Sequence, residues 1–573
     1  LARRAYAALV PDGDARLFAV AVAALRLLHA ALPETLNYHL ARSDVFSTFA
    51  AAAGLWVFAA FPRLRSLHLG ALIAAAGILA KEPVAVYPGL VGAWVLIVER
   101  RGIGAAVLAT LPAAVVCGGV FWWTRGMQGP AMTWGGVDRA TYLLTQAWVV
   151  PQYLWFFLWP AGATVDHDQE FLTQWSDLRV LGGAAILLAA LFAAACALRR
   201  PRGRLFAFGL AWAALALAPS SSVVPLYEAR NDHRVFFPFL GLTIALVAAF
   251  AAGADAVLRQ ARAAGKERFA RGALAAAFVL FLGAHAAAVV ARNRTWSSAV
   301  ALWEEAAVRA PRNGRAAMNA GSARMRRADY DAALAHFLRA RTLTPRYALL
   351  EINLGILKDE LGDFAAADEH FRLAAEYQPR DARVPYWNGR RRMRRGDAFS
   401  AAADFGLAVR LAPGDPAARR DLLAALEAAE LPAQLVAAAA EARAAFPKDP
   451  VIAAAIDRLP PQVRAAAEKA ARVPPSAEAY AELSAALFGA KRYAAAVSAA
   501  RTATELDPTR LDAWNNLGAA YGGLGRYSEE IAACREALKI DPQNRLARAN
   551  LARAEAQAAA ASRAAAPAGR PSR

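Results

Sequence analysis

The sequence predicts an all-α chain in two parts: a polytopic bundle of transmembrane helices, followed by a soluble α-solenoid. Three observations carry this. The 573 residues are 57% hydrophobic, with a mean hydropathy of +0.26, which is too apolar for a soluble domain of that length. Charged residues, 20% of the chain, cluster between long apolar runs as far as Arg292 and are spread at helical spacing beyond it. In the second part a set of small, aromatic and proline positions recurs at a fixed interval.

A spanning helix needs about 20 mostly apolar residues, and a helix satisfies all of its backbone groups within one segment. The apolar runs predict spans near 16–32, 45–61, 67–80, 85–98, 104–124, 178–198, 205–219, 235–256 and 272–291. The cations of the short connections set the orientation. Arg3, Arg4 and Arg16, then Arg63 and Arg65, Arg100 and Arg101, the group from Arg199 to Arg204, and the group from Arg259 to Arg271 all fall on one side, which is expected to be cytoplasmic. The other side receives 33–44, the Lys81 region, 125–177, 220–234 and everything after Arg292. A span over 141–160 would flip the Arg199 group outward. With Pro151, Pro160 and the aromatic run Trp155–Trp159, that stretch is expected to be re-entrant or interfacial.

The formal net charge is +19. Because so many of the cations sit in short connections, the excess reads as topology and not as a nucleic-acid footprint. Cys117 and Cys196 lie in apolar runs and Cys534 stands alone, so neither a metal-ligand spacing nor a disulfide framework is present. The chain opens on Leu1 without a signal-peptide pattern, and the expected reading is an N-terminally truncated chain.

In the second part Gly321, Gly355 and Gly389 are 34 apart (355 − 321, 389 − 355), as are Pro345, Pro379 and Pro413, Ala333, Ala367 and Ala401, and Phe337, Phe371 and Phe405. This is the tetratricopeptide pattern. Small residues let two antiparallel helices approach, Phe fills the space between them, and Pro stops the second helix. The organisation expected is a transmembrane domain over 1–292, a connecting helix over 293–313, repeats over 314–449, an irregular linker over 450–476, repeats over 477–544, and a capping helix with a disordered tail over 545–573. His336 and His370 share a repeat position and read as a recurring helix-surface residue, not as metal ligands.

Ionisable residues gather at the outer mouths of the spans, where such groups are functional candidates. They are His29, Glu34, Arg42 and Asp44 in the run HAALPETLNYHLARSD; Lys81 and Glu82; Asp166, His167 and Asp168; and Arg230, Asp232, His233 and Arg234, with Glu228 beside them. Arg42, Lys81, Arg230 and Arg234, helped by His233, suit a lipid-linked phosphate. Glu34, Asp44 and Asp232 suit a base acting on an acceptor hydroxyl. The blander expectation for Lys81 is an ion pair with an outer-face carboxylate. Asp166-His167-Asp168 has too few ligands for a magnesium or manganese site, so no metal is expected.

These segments carry a resemblance. The run from His29 to Asp44, then Ala80-Lys81-Glu82, then Leu143-Leu144-Thr145-Gln146 through Asp166-His167-Asp168, then Asn231-Asp232-His233-Arg234 with Phe237-Pro238-Phe239-Leu240-Gly241, resembles in order the motifs of the TMTC-type membrane proteins. These end in tetratricopeptide repeats and are similar to the protein O-mannosyltransferases of the GT-C class. The match departs at Ala30, where the family has Pro, and at Pro33-Glu34-Thr35. The resemblance implies a GT-C-like membrane domain. It also implies a glycosyltransferase that moves a sugar, mannose by analogy, from a polyprenyl-phosphate carrier to Ser or Thr hydroxyls of an acceptor protein. Glu34 and Asp44 are then catalytic candidates, and Arg42, Lys81, Arg230, His233 and Arg234 the donor-phosphate contacts. In GT-C enzymes the acidic residue most tied to catalysis lies in the first outer loop, which is expected to precede Leu1.

Two other readings stand beside it: a non-catalytic, membrane-anchored repeat scaffold for protein partners, and a polysaccharide polymerase or ligase. The expected partners are membrane lipid, a lipid-linked sugar and an acceptor protein or peptide held by the repeats, with no nucleic acid. The abundance of Ala and Arg over Lys points to a bacterial source, and so to an inner membrane with the repeats on the periplasmic side.

Overall fold

The computed structural model describes residues 1–573 except 12, 39–40, 128–136, 161, 224 and 566–573, and among the described residues every regular element is helical. The chain divides into two compact units, Leu1–Pro345 and Arg346–Arg573.

In the first unit six helices are long and apolar enough to cross a membrane: Arg42–Ala60, Ile103–Met127, Leu178–Ala197, Pro201–Ser221, Asp232–Ala263 and Glu267–Trp296. Three other expected spans are shorter. The 16–32 run becomes the 14-residue helix Ala15–Leu28, about 21 Å long. It is started by Asp14, whose carboxylate accepts from the backbone N of Arg16 and Leu17, as an N-cap does. It stops at His29, and a five-residue helix, Leu32–Leu36, follows. The 67–80 run gives Leu69–Ala80, 12 residues. The 85–98 run is split into a 3-10 turn, a short α-helix and a π turn. Pro83 and Pro88 sit at the starts of the first two, where a missing N–H costs nothing.

Glycine decides two of the crossings. Gly54 and Gly70 let Arg42–Ala60 pass against Leu69–Ala80, and Gly209 and Gly241 do the same for Pro201–Ala218 and Phe236–Ala263. In each pair a Cβ on one glycine would run into the backbone oxygen of the other. Around these contacts Leu55, Leu90, Phe208, Trp212 and Phe239 are fully buried.

The helices alternate in direction, so the unit has two ends. One end collects the basic connections: Arg65 pairs with Glu99, and Arg202 with Asp255. The short N-terminal helix Ala2–Leu9 lies at this end too, with Arg4 donating to the carbonyl of Ala60 at 2.7 Å. The other end collects 29–38, 41–42, 80–82, 158–160, 162–178, 218–223, 225–236 and Trp296. Helix Arg139–Leu158 lies along that end. Tyr142 bonds the carbonyl of Ser220, Gln146 that of Ala229, and Tyr153 that of Asn231. Both halves of the helix are therefore bonded to the connection that follows Pro201–Ala218.

The expected boundaries at 292 and 314 fall inside this first unit. The connecting helix Ala299–Arg309 and the first repeat pair, Gly314–Met325 with Tyr330–Leu343, belong to it.

The second unit is a stack of helix pairs: Ala348–Glu360 with Phe364–Tyr377, Arg383–Arg394 with Ala398–Leu411, Pro416–Ala428 with Pro432–Ala445, Ala477–Gly489 with Tyr493–Leu506, and Leu511–Gly523 with Tyr527–Ile540. Gly355 and Gly389 face the rings of Phe371 and Phe405, where a Cβ would come to 2.9 Å. In the pair over 416–449 the exchange is reversed, with Leu423 buried on the first helix and Ala439 on the second. The volume is conserved while its source changes helix. The linker over 450–476 is not merely irregular. Its helix Pro461–Ala470 buries Val463, Ala466, Ala467 and Ala470 in the stack. Helix Arg545–Ala565 caps the array through Arg553 to Glu530 at 2.8 Å. The tail expected to be disordered lies, over 566–573, outside the described residues.

Candidate functional site

Four segments far apart in sequence meet at the end of the first unit away from the basic connections. The short helix Leu32–Leu36 buries Glu34, which is 3% exposed. Arg292, near the end of Glu267–Trp296, binds both of its oxygens and also reaches Glu305 of the connecting helix. Trp296 adds an indole N–H at 3.4 Å. One guanidinium thus ties three elements together, which its planar fork of donors permits.

Asp44 starts the Arg42–Ala60 helix and Lys81 ends Leu69–Ala80. Their side chains meet at 2.5 Å. The ion-pair expectation for Lys81 is the one realised, with Asp44 as partner. Arg42 is exposed and forms no hydrogen bond or ion pair among the described residues. Glu82 is half-buried next to Lys81. His39, within the same expected motif, lies outside the described residues.

The third group surrounds Asp232, which is 1% exposed. The backbone N of Thr164 donates to it at 3.2 Å. His167 Nε2 lies 2.9 Å and Arg230 Nε 3.5 Å from Oδ1. These two are ion-pair approaches without hydrogen-bond alignment, since all three atoms lack a directed partner. Arg230 also donates to Gln152 at 2.6 Å, and Arg234 to the carbonyl of Glu228 at 2.7 Å. His233 faces Tyr38, with ring centroids 5.8 Å apart.

Arg315, from the first repeat helix, completes the cluster. It binds Asp166 through Nε and Nη2 at 2.6 and 2.7 Å and Glu228 at 2.5 Å. Asn313 donates to the carbonyl of His167 at 2.9 Å, and the backbone N of Arg312 to Asp168 at 3.1 Å. The start of the first repeat is therefore fastened to the 166–168 turn. Burial alone would raise the Glu228 carboxyl. Arg315, Asn231 and Arg234 together outweigh it and hold the group below the usual carboxylate range. Burial works against the charge on Arg315, but Asp166 and Glu228 more than compensate and strengthen its hold on the proton.

His29 is placed elsewhere. It is packed among Phe157, Phe239 and His285, with Nε2 at 2.9 Å from the carbonyl of Phe157 and Nδ1 accepting from the backbone N of Ala31. It is a core side chain that closes its own turn. His336 and His370 each face a glutamate, Glu304 at 3.8 Å and Glu351 at 2.6 Å. No group of three or more His, Cys, Asp or Glu able to hold a metal ion occurs among the described residues.

Two cavities adjoin the cluster. One of about 330 Å³ is lined by Glu34, Asp166, Glu228, His233, Arg234 and Arg315, together with Tyr38, Trp296 and Trp303. The other, of about 700 Å³, lies against Trp148, Trp155, Arg230 and three further arginines. Sequence reasoning missed Arg292 and Arg315. Arg292 is the charge on which the last apolar helix ends, and Arg315 is the second residue of the first repeat, so each had a position but no visible partner.

The helix pairs and their spacing define a class, and the comparisons agree with it. The tetratricopeptide-repeat family matches residues 477–510 and 511–544, so these two segments are tetratricopeptide repeats. None of the curated proteins matches the chain at a significant level. Among solved structures, the chain is similar to YrrB, a TPR protein with an unusual peptide-binding site, at 19% identity over 37% of this chain and 95% of that one, with a TM-score of 0.18. It is similar to Pseudomonas aeruginosa pilF at 13% identity over 43% and 97%, with a TM-score of 0.22. It is also similar to the TPR2AB domain of yeast Sti1, solved as a pHSP90 complex, at 17% identity over 43% and 98%, with a TM-score of 0.19.

Proposed function

We propose that this chain is a membrane-embedded protein that uses its tetratricopeptide repeats to hold a protein or peptide partner. The observation that carries this reading is the run of regular helix pairs, two of which match the tetratricopeptide family. Stacked pairs of this kind present extended concave surfaces suited to polypeptide. Six long apolar helices, with basic connections gathered at one end, support the embedding. Under this reading the polar cluster is a junction that fixes the first repeat at the outer face. Glu34, Asp44, Asp166, Glu228 and Asp232 each face a cation, as the carboxylates of a structural junction would. The test is to isolate the full chain from alkali-washed membranes beside a variant lacking 477–544. A defined partner should accompany the full chain and be lost with the deletion. Identical partners for both would remove the reading.

A second reading is favoured by the convergence of the four motif segments on one cluster beside a 330 Å³ cavity. It is a glycosyltransferase that moves a sugar from a polyprenyl-phosphate carrier to protein Ser or Thr hydroxyls, with the repeats recruiting the acceptor. Its setting would be a bacterial inner membrane with the repeats outside. Incubation with polyprenyl-phosphate mannose and a hydroxyl-bearing peptide tests it, and absence of transfer counts against it.

A further inference from the structure

The cavity of about 700 Å³ is lined both by the indoles of Trp148 and Trp155 and by the guanidinium groups of Arg179, Arg230, Arg309 and Arg312. The two tryptophans belong to helix Arg139–Leu158, which is flanked by Leu178–Ala197. The latter helix leaves nearly all of its side chains uncovered, with Leu178 83% and Phe192 72% exposed, and Trp155 itself is 65% exposed. If the chain is membrane-embedded, the reading on which this inference rests, that exposed surface meets lipid.

The guanidinium groups of Arg309 and Arg312 are only partly used. Arg309 gives Nε to Glu305 at 2.8 Å. Arg312 gives its backbone N to Asp168 at 3.1 Å, with its own Nε 3.7 Å away. The terminal Nη groups of both have no partner among the described residues. An arginine bound through one edge keeps the other edge for an anion. The carboxylates of the lining, Asp168 and Glu170, already face Arg312 and Arg179. The unused hydrogen-bonding capacity here is therefore cationic. It shares the cavity with indole rings at an exposed apolar surface, where such rings settle at the headgroup level.

We propose that this cavity holds the phosphate of an anionic phospholipid between Arg309 and Arg312, with the acyl chains leaving along Trp148 and Trp155. A zwitterionic headgroup offers the same phosphate but brings a quaternary ammonium up against Arg309 and Arg312, which an anionic headgroup does not. A free phosphate leaves the indoles unused.

The test uses the full chain purified in detergent, incubated with phosphatidylglycerol or phosphatidylcholine and examined by native mass spectrometry. Phosphatidylglycerol should be retained about tenfold better, and R309Q/R312Q should reduce it to the phosphatidylcholine level. R268Q, among the basic connections at the other end, should retain lipid as the parent does. Far-UV circular dichroism of the double variant checks that it is folded. Equal retention of the two lipids, or retention indifferent to R309Q/R312Q, overturns the proposal. So does displacement by inorganic phosphate at equal concentration, or preference for polyprenyl phosphate. A chain that washes off membranes defeats the embedding reading. An embedded chain without selective retention defeats this inference alone.

Discussion

Arg315 grips both carboxylate oxygens of Asp166, at 2.6 and 2.7 Å, across 149 residues of chain, and its Nη2 also reaches Glu228. The first unit runs to Pro345, past the end of the apolar sequence, and this contact fastens its first repeat helix to the 166–168 turn. The first helix pair is held by charge to the loops of the bundle.

Replacing Arg315 by Ala leaves Asp166 and Glu228 facing each other in a site with little solvent. Losing one partner of a fully buried pair costs about 3–5 kcal/mol. Arg315 keeps about a third of its side-chain surface in solvent, so a loss of about 2 kcal/mol is expected. R312A, at a side chain 69% exposed, should stay within about 0.5 kcal/mol of the parent. Thermal unfolding in detergent, followed by tryptophan fluorescence, compares the two.

Glu228 gives the junction an acid limit. Its carboxyl is held below the usual range in the folded chain. A depressed carboxylate contributes stability that is fully present above its unfolded value, about 4.3. That contribution is lost as pH falls through the folded value. Stability should therefore decline below about pH 4.5, and E228Q should flatten part of that decline. A variant with the parent's full acid slope would contradict the assignment.

Asp44 and Lys81 should behave as a pair. K81M alone leaves a 7% exposed carboxylate without its partner and should destabilise by about 2 kcal/mol. In a D44N background the same change should cost under about 0.5 kcal/mol. Equal costs in both backgrounds would show that Lys81 serves something other than Asp44.

In the second unit the pairs over 348–377 and 383–411 each close on one phenylalanine ring. F371A should destabilise the array by about 3–5 kcal/mol. G389V, which forces branched carbon against the Phe405 ring, should also destabilise it. Hydrogen exchange over 348–411 reports both, and protection unchanged from the parent would count against the packing described.

Much of this architecture is legible because it is periodic. The interval from Gly321 to Gly389 locates the helix pairs, and six of the nine long apolar runs become helices long and apolar enough to cross a membrane among the described residues. The rest was hidden for physical reasons. The 16–32 run is apolar apart from Arg16, Arg26 and His29, but His29 closes a turn on its own backbone and stops the helix, which hydropathy does not register. Ionisable residues at span mouths could be named, but not sorted. His29 turned inward to aromatic rings and Arg42 outward, while Asp44 and Lys81 found each other across 37 residues. Arg292 and Arg315 form the junction through partners 258 and 149 residues away, and nothing local in the chain marks such a distance.

Embedding of the first unit, with the polar cluster and the repeats on one side, is tested most directly by cysteine accessibility in sealed cells. With Cys196 changed to Ser, single cysteines at Tyr227, beside the cluster, at Arg535 in the last repeat and at Arg200 in the basic connection are treated with a membrane-impermeant thiol reagent. The account expects labelling at 227 and 535 and none at 200 until the membrane is opened. Labelling at 200 with 227 or 535 protected would contradict it.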